Sequence, residues 1–260
     1  MGQHTDIGWC DDTVNGEMGC DGCELSAEGS CYAEELTNRR AGQTGWPAAF
    51  NQPTVFPGRI AEAARWRDLT GTRRPDKPWL NGLPRVIFLD DMGDTFTESL
   101  SLDWLAPELP IIAASPHQWL LLTKRPQRLA AFARQHPLPR NIWVGTSTLE
   151  RAMLGRVKPL LDTAATIHFL SLEPLWGPLD LAPVLATGPL DWVIVGGQSG
   201  RNYQHHTMAL EWAEAIVADC LAFNLPIFIK QDSHALSGRQ GRIPDSLWKL
   251  KELPITAVTR

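Results

Sequence analysis

From Arg85 onward the chain repeats one unit: a short β-branched or aromatic apolar run, a small polar residue, then a stretch of helical length. The runs are Val86–Leu89, Trp119–Leu122, Ile142–Val144, Ile167–Leu170, Trp192–Val195 and Ile227–Ile229. Each is too short for a helix and apolar on both faces, as a strand buried inside a parallel sheet must be. Between them lie helix-length segments such as 127–135, 149–161 and 210–223. A spacing of about 25–40 residues between strands is that of successive βαβ units. With a further strand expected near Asp6–Trp9, the pattern predicts an α/β fold of six to seven parallel strands. It fits a doubly wound sheet, or a complete or partial (β/α) barrel. The 260 residues suffice for a single domain spanning 1–260. A Pro-, Gly- and Arg-rich stretch at 42–83, amphipathic around Ile60–Asp68, reads as an insertion or lid.

In α/β architectures the ligand site lies at the carboxyl ends of the strands. Each run here ends on a polar group: Asp90–Asp91, Thr123–Lys124, Gly145–Thr146–Ser147, Ser171 with Glu173, Gly196–Gly197–Gln198–Ser199, and Lys230–Gln231. One such group is most simply a loop cap. Six in succession predict a functional rim. For Lys124 and Lys230 the simpler alternative is an ion pair with Asp91 or Glu173 across that rim.

The second constraint is the cysteines. Cys10, Cys20, Cys23 and Cys31 fall within 22 residues, and Cys220 stands alone inside an apolar helix, as a buried small residue would. The polar start Met1-Gly2-Gln3-His4 does not resemble a signal peptide, so a cytoplasmic protein is expected. In that compartment clustered thiols point to metal ligation or redox chemistry, not to a disulfide framework. Zinc favours four closed ligands, commonly as two C-x2-C knuckles. Only one knuckle, Cys20 and Cys23, is present, and zinc would need Cys10 or a His to complete its shell. Three cysteines around an iron–sulfur cluster leave one iron open for chemistry.

Composition narrows the partners. No stretch reaches the roughly 18 apolar residues of a membrane span. A net charge of −5 argues against nonspecific gripping of long nucleic acid, though a local basic groove is compatible with it. Eighteen of the 24 basic residues are Arg, which suits bidentate phosphate contacts but is more simply the mark of a GC-rich coding sequence. The doublet His205–His206 reads as solvated loop.

The ordered strings Gly19-Cys20, Cys31-Tyr32-Ala33-Glu34, 87–96 (Ile-Phe-Leu-Asp-Asp-Met-Gly-Asp-Thr-Phe), 122–126 (Leu-Thr-Lys-Arg-Pro), 143–147 (Trp-Val-Gly-Thr-Ser), 171–175 (Ser-Leu-Glu-Pro-Leu), 191–200 and 228–231 cover nearly the whole chain. In that order the sequence resembles the three-Cys-motif family known from the phage Gp37/Gp68 proteins, which is similar to radical S-adenosylmethionine (SAM) enzymes. Two positions depart from the family. The short cysteine gap comes first, with seven residues between Cys23 and Cys31, which keeps Cys10 as an alternative ligand. Gln198 stands where the family has Glu.

The resemblance implies a radical-SAM-like barrel with a cysteine loop at 10–34. Cys20, Cys23 and Cys31 would bind a 4Fe-4S cluster, with Tyr32 packed against it. SAM would be met by Asp91 or Asp94, by Thr146, Ser147, Ser171 and Glu173, and by Gly196, Gly197, Gln198 and Ser199. Lys124, Glu173 and Lys230 are the candidate catalytic groups, with Lys124, Arg125 and Lys230 facing a carboxylate or an anionic substrate. An external electron donor such as flavodoxin or ferredoxin is implied, as is a phage protein working in the bacterial host cytoplasm. The substrate expected first is a modified base in DNA, for example an amino-acid-modified thymine undergoing isomerisation. Arg59, Arg65, Arg67, Arg73 and Arg74 would hold phosphate, while Trp46, Trp66 or Trp79 stacks on the base. A small-molecule or peptide substrate, and a zinc-stabilised binding module without catalysis, are the alternatives.

Overall fold

The computed structural model describes residues 5–186 and 188–254; Met1–His4, read above for a signal peptide, lie outside them. In chain order the strands are β1 (Asp12–Val14), β2 (Glu17–Met18), β3 (Thr54–Val55), β4 (Val86–Leu89), β5 (Gln118–Thr123), β6 (Ile142–Ser147), β7 (His168–Leu172), β8 (Trp192–Gly196) and β9 (Ile227–Gln231). The helices are α1 (Glu24–Ala27), α2 (Tyr32–Arg40), α3 (Arg59–Ala63), α4 (Leu109–Ala114), α5 (Pro126–Gln135), α6 (Val157–Leu161), α7 (Ala182–Leu185), α8 (Leu210–Ala222) and α9 (Asp245–Trp248).

Seven strands form one parallel sheet in the order β1-β4-β5-β6-β7-β8-β9, so every strand pairs with its predecessor in that series. A doubly wound sheet needs a reversal of strand order, and there is none here. The sheet curls into a half-barrel with β1 and β9 at its open edges. All six runs read from Arg85 onward become strands. The expected strand at Asp6–Trp9 does not: Gly8 and Trp9 form a turn, and the chain enters the sheet only at Asp12–Thr13–Val14. Two polar residues disguise that strand, and Asp12 is accommodated by an ion pair with Arg85.

The pleat divides the side chains into two populations. Phe88, Leu120, Trp143, Phe169, Trp192, Ile194 and Phe228 point to the concave face, where Trp9 and Leu80 plug the base. Ile87, Leu89, Trp119, Leu121 and Val144 point outward beneath α3, α4 and α5. Leu170, Leu172, Val193, Val195, Ile227 and Ile229 do the same beneath α8. That helix buries Ala213, Ile216, Val217 and Cys220, the i, i+3, i+4, i+7 stripe of a one-sided helix. The 42–83 segment forms a wall anchored on the sheet by Ile60, Ala63 and Leu80, each at 1% exposure or less, with most of the rest half-buried or exposed.

Candidate functional site

Glycine delivers the cysteine loop to the mouth of the half-barrel. Gly19 and Gly93 run side by side in a bridge. A Cβ on Gly93 would lie 2.2 Å from Glu17 Oε1, and one on Gly19 (φ +101°) would lie 2.7 Å from the Phe50 carbonyl. Only glycine admits both approaches. From there residues 20–31 cross the C-terminal rim and are tied to the ends of several strands. Arg125, just beyond β5, donates to Cys20 Sγ (3.5 Å) and to the Gly22 carbonyl (2.9 Å). Arg156, after β6, grips both oxygens of Glu24 at 3.0 Å. Beyond β8, Gln198 Nε2 donates to Ser30 Oγ (3.0 Å) and Asn202 Nδ2 to the Gly29 carbonyl (2.9 Å). Trp176 Nε1 holds Gln198 Oε1 at 2.8 Å, and His206, stacked on Trp176, reaches Glu28 at 3.6 Å. The histidine doublet therefore contributes one ring to this latch.

Cys20 is buried, whereas Cys23 and Cys31 are half-buried and precede α1 and α2. Burial raises the Cys20 thiol pKa, against the pull of Arg125 and Thr97. Burial likewise raises that of Cys31, while the Glu34 and Ala33 amides and Lys124 favour its thiolate and neighbouring Cys23 opposes it. Among the described residues no three Cys, His, Asp or Glu side chains stand together as a ready-made metal site. The donor chemistry nonetheless fits an iron–sulfur cluster: three soft thiols on one loop, with Arg125 and Lys124 beside them to offset thiolate charge. Cys10 is fully buried, and burial pushes its thiol pKa well up.

The rim residues divide. Ser147, Ser171, Glu173, Gly196 and Lys230 follow concave-face residues at two-residue spacing, and Ser147 and Ser171 are register partners. Lys230 is ion-paired with Glu173, the simpler alternative for that lysine. Asp91 accepts from Asn15 Nδ2 at 2.8 Å, its carbonyl accepts from the Tyr32 hydroxyl, and burial raises its pKa. Lys124 lies within electrostatic reach of Cys31 and Glu24.

Other expected contacts serve the framework. Thr146 is the register partner of Thr123, shares its face with Val144 beneath the helices, and donates to the Thr123 carbonyl at 2.7 Å. Both Asp94 oxygens are taken: one by Thr123 Oγ1 and the Phe96 amide, the other by the Lys124 amide and Arg125. Gly197 permits close approach of the Ser233 backbone, 2.3 Å from where its Cβ would lie, and Ser199 bridges to His234. In the 42–83 wall, Arg74 is buried against Asp11 and Arg59 donates to the Asn15 and Gly45 carbonyls. Trp79 donates to the Gly8 carbonyl, and Trp46 and Trp66 lie beneath Arg40 and Arg85.

Sequence reasoning passed over a carboxyl pair under the loop. Glu17 is fully buried, and among the described residues neither of its side-chain oxygens has a partner of full hydrogen-bonding geometry. Burial, then Asp90 and Asp94, push its pKa well up. Asp90, held at φ +62°, has its pKa raised by burial to about 7, against hydrogen bonds from Thr95 and the Glu17 amide. The sequence carries no clear signal for it: Glu17 lies in a mostly polar approach to the cysteines (Asp12, Thr13, Asn15), where a charge does not stand out.

Fold and site together define an open, singly wound α/β half-barrel with a thiol-bearing loop tied across its mouth. The chain belongs to a family described as protein of unknown function (DUF5131), whose model matches residues 4–243. No curated protein and no solved structure matches it.

Proposed function

We propose that this protein is a radical SAM enzyme acting on a modified base in DNA, the isomerisation of an amino-acid-modified thymine being the reaction in view. The observation that carries the reading is the loop bearing Cys20, Cys23 and Cys31, tied by Arg125, Arg156 and Gln198 across the C-terminal mouth of a parallel half-barrel. In α/β proteins that mouth is where ligands bind. The three thiols would hold a 4Fe-4S cluster. With SAM, such a cluster supplies the one-electron cleavage that lets hydrogen be taken from an unactivated carbon.

The chain's own part is positioning. Lys124 and Arg125 offset thiolate charge on the loop. Ser147, Ser171 and Asp91 offer hydrogen-bonding groups to SAM on the concave side. The Lys230–Glu173 pair presents an ammonium and a carboxylate at fixed positions, suited to the carboxylate and ammonium of a methionyl group. The aromatic plug of Trp9, Trp143 and Trp192 closes the base against water. An electron donor of the flavodoxin or ferredoxin kind completes the cycle, and a phage protein in its host cytoplasm is the setting that fits.

A small-molecule or peptide substrate is the second reading. It is favoured by the net charge of −5 and by the commitment of Arg59 and Arg74 to the framework. Reduced protein incubated with SAM, with and without DNA containing modified thymine, separates the two. Release of 5′-deoxyadenosine that rises with the DNA, together with an isomeric nucleoside by mass spectrometry, supports the first reading. Cleavage indifferent to DNA supports the second. No cleavage, in a colourless protein carrying one zinc, means a binding module.

A further inference from the structure

Far from the cysteine loop, the last described segment lies along β9, where Lys251 bridges to Phe228. The Lys251 side chain turns back into the molecule. Its Nζ sits 3.4 Å from the Trp248 ring centroid, 5.0 Å from that of Phe228 and 5.7 Å from that of Trp79, and it donates to the Ile229 carbonyl. Among the described residues no carboxylate is ion-paired to it. Glu252, its neighbour, accepts instead from the Ile227 amide at 3.1 Å. Asp11 is held by Arg74, Asp12 by Arg85, and Asp245 by Gln240. Two nearby amines are turned elsewhere: Lys77 donates to the Thr5, Ile7 and Cys10 carbonyls, and Lys230 pairs with Glu173.

Lys251 also lines two clefts. One, of about 590 Å3, is walled mainly by apolar residues, among them Trp79, Leu221, Leu225 and Leu253. The other, of about 650 Å3, opens between the two edges of the half-barrel beside Asp6, Arg73 and Phe228. An amine with aromatic walls, no ion-pair partner and an apolar cleft beside it differs from a solvated surface lysine. Burial lowers its pKa to about 7, against the Trp248 ring and the Ile229 carbonyl, which favour the ammonium, so a fraction of it carries a free lone pair near neutral pH. That is the state in which lysine acts as a nucleophile.

We propose that Lys251 is a covalent attachment site for a small aldehyde with an aromatic or apolar body, which occupies the neighbouring cleft. The Nζ lone pair adds to the carbonyl carbon, forming the N–C bond. Both amine hydrogens leave with the carbonyl oxygen as water, and a neutral imine remains. No electron changes hands.

Benzaldehyde is a suitable probe. The intact protein is treated at pH 7 with a limiting amount together with cyanoborohydride, which reduces the imine to a stable benzylamine, and peptide mass spectrometry then compares the six lysines. Lys249, exposed and two residues away, is the internal control. Lys251 is expected to be labelled faster than Lys249 by on the order of 10-fold or more. The ratio should shrink towards pH 10, where ordinary lysine amines also become nucleophilic. Lys251→Arg should abolish the fast label and leave that on Lys249 unchanged. Labelling of Lys251 at or below the rate of Lys249 at pH 7 overturns the proposal, because an amine that only pins the terminal segment is protected. So does a ratio that does not respond to pH.

Discussion

Glu17 and Asp90 bury two carboxyl groups beneath the loop that carries Cys20, and proton linkage makes their environment a stability term. Both pKa values are raised, so the folded protein keeps protons that the unfolded chain releases in the ordinary carboxylate range. The stabilisation is complete below that range and is lost as pH climbs through about 7 for Asp90. Asp90 alone should therefore lower the unfolding free energy by on the order of 2–3 kcal/mol between about pH 5 and pH 7, and Glu17 should add to that fall. Glu17→Gln should flatten the part of that fall owed to Glu17, because an amide has no proton to lose. Urea denaturation at a series of pH values measures both slopes. The Arg74–Asp11 pair behaves differently. Both partners are under a tenth exposed, and Asp11 also accepts from the Val86 amide while Arg74 reaches the Leu83 and Pro84 carbonyls. Arg74→Met strands a buried carboxylate and should cost about 3–5 kcal/mol in the same experiment. A loss below about 1 kcal/mol would mean that the pair is not desolvated.

Within the cysteine loop, residues 20–31, only Cys20 is buried, and the loop's place is set by side chains reaching from the strand ends. Gln198 is the tie on the β8 side, 3% exposed and bonded to Ser30, Asn202 and Trp176. Gln198→Ala should speed amide exchange across 28–31 by about 10-fold, the equivalent of one or two lost hydrogen bonds. Exchange in β6–β8 should not change. Uniform acceleration across the sheet would show that Gln198 supports the whole fold. The elements also differ in how far the sequence announces them. The six strands after Arg85 were legible because each is apolar on both faces and ends on a polar residue. β1 was not, because Asp12 and Thr13 are polar and the charge is satisfied by Arg85, 73 residues away. The facing of Thr146 is hidden for a related reason: a run read as apolar on both faces does not reveal which neighbour faces the helices. Asp94 and Arg59 look like ligand-binding residues in sequence, yet their partners come from segments distant along the chain.

At the scale of the whole molecule, a sheet wound in strict order places every strand end on one mouth, and the segment from Cys20 to Cys31 crosses it. Mutating the straps one at a time should therefore leave the half-barrel folded while altering what the mouth can hold. Arg125→Gln, which removes the contacts to Cys20 and Gly22, is expected to lower bound iron several-fold with little change in the far-ultraviolet circular dichroism spectrum. Unchanged iron content would detach Arg125 from the proposed cluster.

The most direct test of the account is iron and acid-labile sulfide analysis of protein purified without oxygen, compared with variants carrying Cys→Ala at position 20, 23, 31 or 10. The account predicts about four iron and four sulfide per chain, a brown protein, loss of both on substitution of Cys20, Cys23 or Cys31, and retention with Cys10→Ala. A colourless wild-type protein, or iron that survives all three substitutions, would contradict it.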